Sequence, residues 1–152
     1  MVRTIKKVFI DSSILIEFEK GTQTEILFAL LEKGYELYIN SVVVSEYIYK
    51  LLAILGGKSP MSIAESKQIK VYLDKHDTYD FLLNFEYLPI SQEAIFLGLD
   101  LMKKYNLLPN DAQIISTCKI NQISMLASLD TDFTEICKKE DIELISSVEQ
   151  II

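Results

Sequence analysis

Short β-rich apolar runs alternate with longer segments of helical period along this chain, and that alternation restricts it to an α/β fold with a largely parallel sheet. The first run, "KKVFI", stops at Asp11, and "SSILIEFE" and "TEILFALLEKG" then carry helical spacing. Gly34 is suited to end the second of these helices, because a helix C-terminus favours the left-handed backbone that glycine tolerates. "YELYI" reads as a second strand, followed by a long helix from Val42 to about Leu55 with Asn40 and Ser41 as cap candidates. Gly56 and Gly57 end that helix and Pro60 opens another. Residues 62–85 make one or two amphipathic helices, "YLPI" a short strand, and Ser91 caps a helix reaching about Tyr105. A further helix follows "NLLP", with Asn110 as its cap and Gln113 completing a capping box. "ISMLAS" is a strand, Asp132 to Glu140 a short helix, and "IELIS" the last strand.

Length and composition narrow the chemistry. The 152 residues, 49% hydrophobic and 24% charged, are expected to form a single domain over 1–152. The apolar stretch after the basic N-terminus is ended by Asp11, too short for a secretory signal, and no run approaches the roughly 18 apolar residues of a membrane span. The chain therefore reads as cytoplasmic, with no membrane partner. Two cysteines make neither a disulfide framework nor a zinc cluster, and Cys118 falls on an apolar helical face as a core residue. The single histidine, His76, lies in polar "LDKHDTYD" and reads as a surface residue, while no G-x-S-x-G is present to make a serine nucleophile. "LGGKSP" lacks the earlier glycine of a phosphate loop. A net charge of −7 argues against a general polyanion-coating surface, though not against a local site where cations offset acids.

The acids fall in a pattern. Asp11 directly follows the first strand, and Asp130 and Asp132 come just after "ISMLAS". In parallel α/β sheets, ligands bind beyond the carboxyl ends of the strands at a topological switch point, so these acids meet if the two strands are neighbours. Glu46 sits inside the apolar "VVVSEYIYKLLAIL", where a charge needs a partner or a purpose. Lys50, four residues on, offers a salt bridge worth about 0.2–0.5 kcal/mol. Asp111 could serve the helix dipole, worth about 0.3–1 kcal/mol, yet Asn110 and Gln113 leave its carboxylate spare for other work. The aromatics of "EYIYKLL" and "TYDFLLNF" divide between core and interface roles, with core favoured at helical spacing.

"VFIDSSILI", "SEY", "LLPNDAQIISTC" and "ASLDTDF" together resemble the PIN-domain nucleases, especially the single-domain VapC-like toxins of toxin–antitoxin pairs. The resemblance spans nearly the whole chain. It implies a three-layer sandwich around a central parallel five-stranded sheet of order 3-2-1-4-5, with the first and fourth strands adjacent. It also implies an acidic pocket for Mg²⁺ or Mn²⁺ built from Asp11, Glu46, Asp111 and Asp130 as catalytic and metal-ligating residues. Asp132 matches an auxiliary acid; Ser12 or Ser13, and Ser128, match supporting hydroxyls. The expected partners are an RNA substrate, a small antitoxin and a second copy in a homodimer. Two departures stand out: Ser128 replaces a commoner threonine, and the only arginine is Arg3, leaving Lys50 as a point charge near the site.

The chemistry fits these residue types. Unit charges about 5 Å apart at an effective dielectric near 20 repel by about 3 kcal/mol per pair. A hard divalent ion relieves that repulsion through oxygen ligands, and can activate water and stabilise a leaving oxygen without any histidine. Phosphodiester hydrolysis of this kind leaves a 5′ phosphate and a 3′ hydroxyl. A haloacid-dehalogenase phosphatase would need a second Asp where Ser13 stands, and a receiver domain would need acids that "IDSS" and "YLPIS" lack. The open alternatives are a non-catalytic PIN-fold scaffold for RNA or protein and a housekeeping RNA-processing nuclease.

Overall fold

A computed structural model describes residues 4–152, so Arg3 lies outside the described residues. Five parallel strands form one sheet in the order β3-β2-β1-β4-β5. These are β1 (Lys7–Ile10), β2 (Glu36–Asn40), β3 (Glu86–Leu88), β4 (Met125–Ala127) and β5 (Glu143–Ile145). Helices flank the sheet: α1 (Ser12–Glu19), α2 (Glu25–Glu32), α3 (Ser41–Gly56), α4 (Pro60–Glu65), α5 (Ile69–Leu73), α6 (Thr78–Leu82), α7 (Gln92–Tyr105), α8 (Pro109–Ile120) and α9 (Phe133–Lys139). The expected fold and strand order are therefore those observed. Among the described residues, no helix is long and apolar enough to cross a membrane.

The centre of the sheet shows why β1 reads as an unbroken apolar run. Val8, Phe9 and Ile10 are all fully buried, as are Leu126 and Ala127 beside them on β4, because helices cover both faces of a parallel sheet. Phe9 pairs with Leu126 and Ile10 with Ala127, and the Asp11 amide donates to Ala127 O at 2.9 Å. The apolar ladder thus ends on both strands at the same level, where the polar residues begin.

Asn40 ties three elements together. Its Oδ1 accepts from the Val43 amide at 3.1 Å, capping α3, and its Nδ2 donates to Thr117 Oγ1 on α8 at 3.0 Å. Asn40 and Thr117 are both fully buried. Helix α3 begins at Ser41 and ends with Gly57 at φ +65°, so the glycine pair terminates it as expected. Gly34, at φ +75°, follows α2 in the same left-handed conformation.

The structure corrects several local readings. Residues 62–85 fold into parts of three short helices, because turns at residues 66–68 and 74–77 interrupt the apolar spacing. The "YLPI" strand is Glu86–Leu88; Pro89, without an amide hydrogen, ends its pairing. Helix α8 does not start from a capping box. Its N-cap is Leu108, with no side-chain cap, and Pro109 occupies the first turn, where its fixed φ suits a helix start. Asn110 and Gln113 lie inside the helix. Gln113 packs across to α7, where a Cβ on Gly98 would come within 2.7 Å of Gln113 Nε2, so glycine permits the close approach of these two helices.

His76 is not a surface residue. It is half-buried, with Nε2 at 2.9 Å from Glu19 Oε2 and Nδ1 at 2.8 Å from Thr78 Oγ1. Glu19 also accepts from the Tyr47 hydroxyl at 2.5 Å. Phe81 stacks on Phe18 at 5.3 Å and meets Tyr47 at 5.5 Å, so α6 docks on α1 and α3 through both polar and aromatic contacts. Of the two aromatic segments, Tyr47 and Phe85 are core, whereas Tyr49 and Tyr79 face solvent.

Asn40→Ala should lower the free energy of unfolding by about 1–3 kcal/mol, combining a lost helix cap with the loss of the bond donated to Thr117 Oγ1, which still donates to Gln113 O. Denaturant titration checks this; a loss under about 1 kcal/mol would show that the Asn40 junction adds little.

Candidate active site

The ends of β1 and β4 set the centre of an acidic pocket. Asp11 is the N-cap of α1, yet its side chain makes no cap hydrogen bond. Instead, Asp11 Oδ2 accepts from Ser13 Oγ and from Ser128 Oγ, each at 2.7 Å. Those hydroxyls are aligned in turn by the amides of Leu129 and Asp130, which donate to Ser13 Oγ and Ser128 Oγ at 3.0 Å. The chain of bonds runs from backbone to hydroxyl to carboxylate and fixes Asp11 although it is 5% exposed. Among the described residues, no hydrogen bond engages Oδ1, which is left for another ligand. Of the two serines after Asp11, it is Ser13 that reaches the carboxylate; Ser12 is buried at the start of α1.

Three further carboxylates close on this centre. Asp111, Asp130 and Asp132 each present an oxygen within 4.8 Å of the others. Asp130 follows β4, and its Oδ1 accepts from the Asp132 amide at 2.9 Å, which locks the turn. Asp132 is the N-cap of α9 and Asp111 lies in the first turn of α8, but neither helix has a side-chain cap bond. Three helices thus begin with aspartates that are not spent on capping. Their N-terminal dipoles favour the negative charge that the fold collects here.

The electrostatics link these acids to Glu46. Burial, then the carboxylates of Asp130, Asp11 and Asp132, push Asp111 up to about 6. Burial, then Asp11, Asp111 and Asp130, raise Glu46, with Lys50 opposing. Asp11, Asp111 and Asp130 therefore act on Glu46, and Asp132 joins them through Asp111. The Glu46–Lys50 salt bridge does not form: among the described residues, Glu46 has no ion-pair partner. A half-buried glutamate with three acidic neighbours and no such partner is poorly suited to a purely structural role.

Hard oxygen ligands only, several of them anionic, fit a divalent cation of the Mg²⁺ type and not a soft metal that seeks sulfur or imidazole. Cys118 and Cys137 are buried, and burial pushes both thiols up, so they contribute neither ligand nor nucleophile. Sequence reasoning missed the Glu19–His76 link, because the partners lie in different elements and no spacing rule joins them.

This all-parallel sheet, with its acids at the switch between β1 and β4, defines the class of the molecule. The chain belongs to the PIN domain family, whose sequence model matches residues 8–139. It is similar to the ribonuclease VapC2 of Methanocaldococcus jannaschii, 33% identical over 140 residues, covering 91% of this chain and 94% of that protein. Ribonuclease VapC6 of the same organism is 34% identical over 140 residues, covering 85% and 92%. A toxin–antitoxin complex from Klebsiella pneumoniae shares the fold at a TM-score of 0.59 and 21% identity, covering 85% of this chain and 92% of that one.

The raised carboxyl of Asp111 has a consequence for metal-free protein. Its folded value of about 6 lies above the ordinary 3.8, so folding takes up a proton between them and stability falls as pH rises through that window. Asp111→Asn should raise the unfolding temperature of EDTA-treated protein by a few degrees near pH 7 and flatten its fall between about pH 4 and 6. A lower unfolding temperature in the variant would mean that the carboxylate serves the helix start more than it suffers from its neighbours.

Proposed function

We propose that this single PIN domain is a metal-dependent endoribonuclease, the toxin of a toxin–antitoxin pair. One observation carries the catalytic reading: Asp111, Asp130 and Asp132 converge within 4.8 Å beside an Asp11 held by two serines, a concentration of charge that packing alone does not reward. The ribonuclease names of the two archaeal relatives support RNA as substrate. The toxin–antitoxin complexes among proteins of this fold support a small antitoxin partner.

In this reading Asp11, Glu46, Asp111 and Asp130 hold Mg²⁺ or Mn²⁺, and Asp132 is an auxiliary ligand. The bound ion supplies a Lewis acid for the scissile phosphate and lowers the pKa of a water. The chain's own residues do the rest. Ser13 and Ser128 hold Asp11 oriented, because both hydroxyls donate to its Oδ2. The locked Asp130–Asp132 turn presents its oxygens from a rigid strand end. Burial and neighbouring carboxylates raise the proton affinities of Glu46 and Asp111, so binding a cation there would displace those protons and relieve the repulsion among the acids. A homodimer and a cytoplasmic location follow from the same reading.

RNA cleavage with and without metal tests it. Wild type should cut single-stranded RNA with Mg²⁺ or Mn²⁺, stop in EDTA, and leave 5′ phosphates; Asp111→Asn should remain folded and lose at least about 100-fold in rate. A folded wild type that cuts no RNA and binds no divalent ion in calorimetry would leave the non-catalytic scaffold as the better account.

A further inference from the structure

A second cavity borders the acidic centre. It has a volume of about 280 Å³ and is lined by Ile16 of α1 and by Ser45, Glu46, Tyr49 and Lys50 of α3. The four α3 residues have spacings of one and four, which places them on one helical face. Tyr49 is 56% exposed although it is a large aromatic, and among the described residues its hydroxyl makes no hydrogen bond. Lys50 is exposed and without an ion-pair partner among the described residues. Its ammonium is nevertheless close enough to act on Glu46.

From this arrangement we infer that the Ile16–Ser45–Tyr49–Lys50 cavity is a nucleotide subsite, in which Tyr49 stacks on one base of single-stranded RNA and Lys50 contacts the adjoining phosphate. The inference rests on the nuclease reading and adds to it the residues that seat the substrate. Three features favour this occupant. The cavity lies just under the roughly 300 Å³ at which pockets for larger organic ligands begin, so it suits a single heterocycle. An exposed aromatic ring beside a cation is the pairing with which single-stranded nucleic acids are held without extensive base reading. Glu46 is a wall of the cavity and a member of the acidic centre, so a nucleotide bound here is next to the phosphate to be cut. In a chain of net charge −7, a phosphate needs such a local cation to approach carboxylates.

The substitutions that test this lie on the surface. Full-length wild type, Tyr49→Ala, Tyr49→Phe and Lys50→Gln are compared in steady-state cleavage of short single-stranded RNA with Mg²⁺. Stacking on one base corresponds to roughly 5- to 150-fold in affinity. Tyr49→Ala should therefore raise KM by about tenfold or more with kcat little changed, and Tyr49→Phe should restore the wild-type value. Lys50→Gln should reduce the slope of log affinity against log salt by about 0.7, the value of one single-strand phosphate contact. An abasic nucleotide at one position beside the cut should reproduce the Tyr49→Ala loss in wild type and add nothing to the variant. If wild type cuts RNA and Tyr49→Ala has an unchanged KM, the subsite is wrong while the nuclease reading stands. The same holds if Tyr49→Ala weakens only the grip of a protein partner. If wild type cuts no RNA, the nuclease reading fails, and equal binding of the same oligonucleotides by wild type and Tyr49→Ala overturns the subsite as well.

Discussion

The parallel pairing of β1 with β4 is the constraint on which the rest of the molecule depends. It ends two fully buried apolar strands at one level, with Ile10 opposite Ala127, and so brings Asp11 and Ser128 to the same edge. The acids of the pocket are then assembled around that edge by elements whose positions are fixed elsewhere. Helix α3 is anchored by Asn40, which also bonds to α8, so the helices carrying Glu46 and Asp111 share one buried junction. The turn after β4 is closed by Asp130 accepting from the Asp132 amide. The stability of the apolar layer thus holds together a set of like charges that would otherwise move apart.

Capping preferences go unused at the acidic pocket, and with a pattern. Asp11 and Asp132 are N-caps and Asp111 lies in the first turn of its helix, yet none is bonded as a cap. Where capping is needed, the chain supplies it properly: Asn40 on α3, Ser59 on α4 and Ser91 on α7 all accept the expected amide. Thr24 and Asp77 also begin helices without a cap bond, so what marks the pocket is that its non-capping aspartates share one charged edge, the kind of conflict between local preference and use that a functional site leaves behind.

Much of this was legible in the sequence, for physical reasons that differ by residue. β1 and β4 could be read because doubly covered parallel strands are continuous apolar runs, and each was closed by an acid. Glu46 entered the expected set of acids through the joint pattern and the resemblance, since taken alone its spacing to Lys50 pointed to a salt bridge that does not form among the described residues. The start of α8 was misread because Asn110 and Gln113 have the spacing of a capping box, while Pro109 before them sets the helix start by backbone geometry instead. His76 was misread because its polar neighbours say nothing of Glu19, which reaches it from α1. Spacing along one helix can be read from sequence. A bond between elements distant in sequence is decided by packing.

Growth of crystals in Mn²⁺, with anomalous scattering to locate the ion, tests the central claim most directly. The account predicts a peak at the β1–β4 edge about 2.1 Å from carboxylate oxygens of Asp11, Asp111 and Asp130, with Asp11 contributing Oδ1 while Oδ2 keeps its two serine bonds. A well-ordered pocket without a peak at saturating Mn²⁺, with its carboxylates paired to protons or to basic side chains instead, would contradict it.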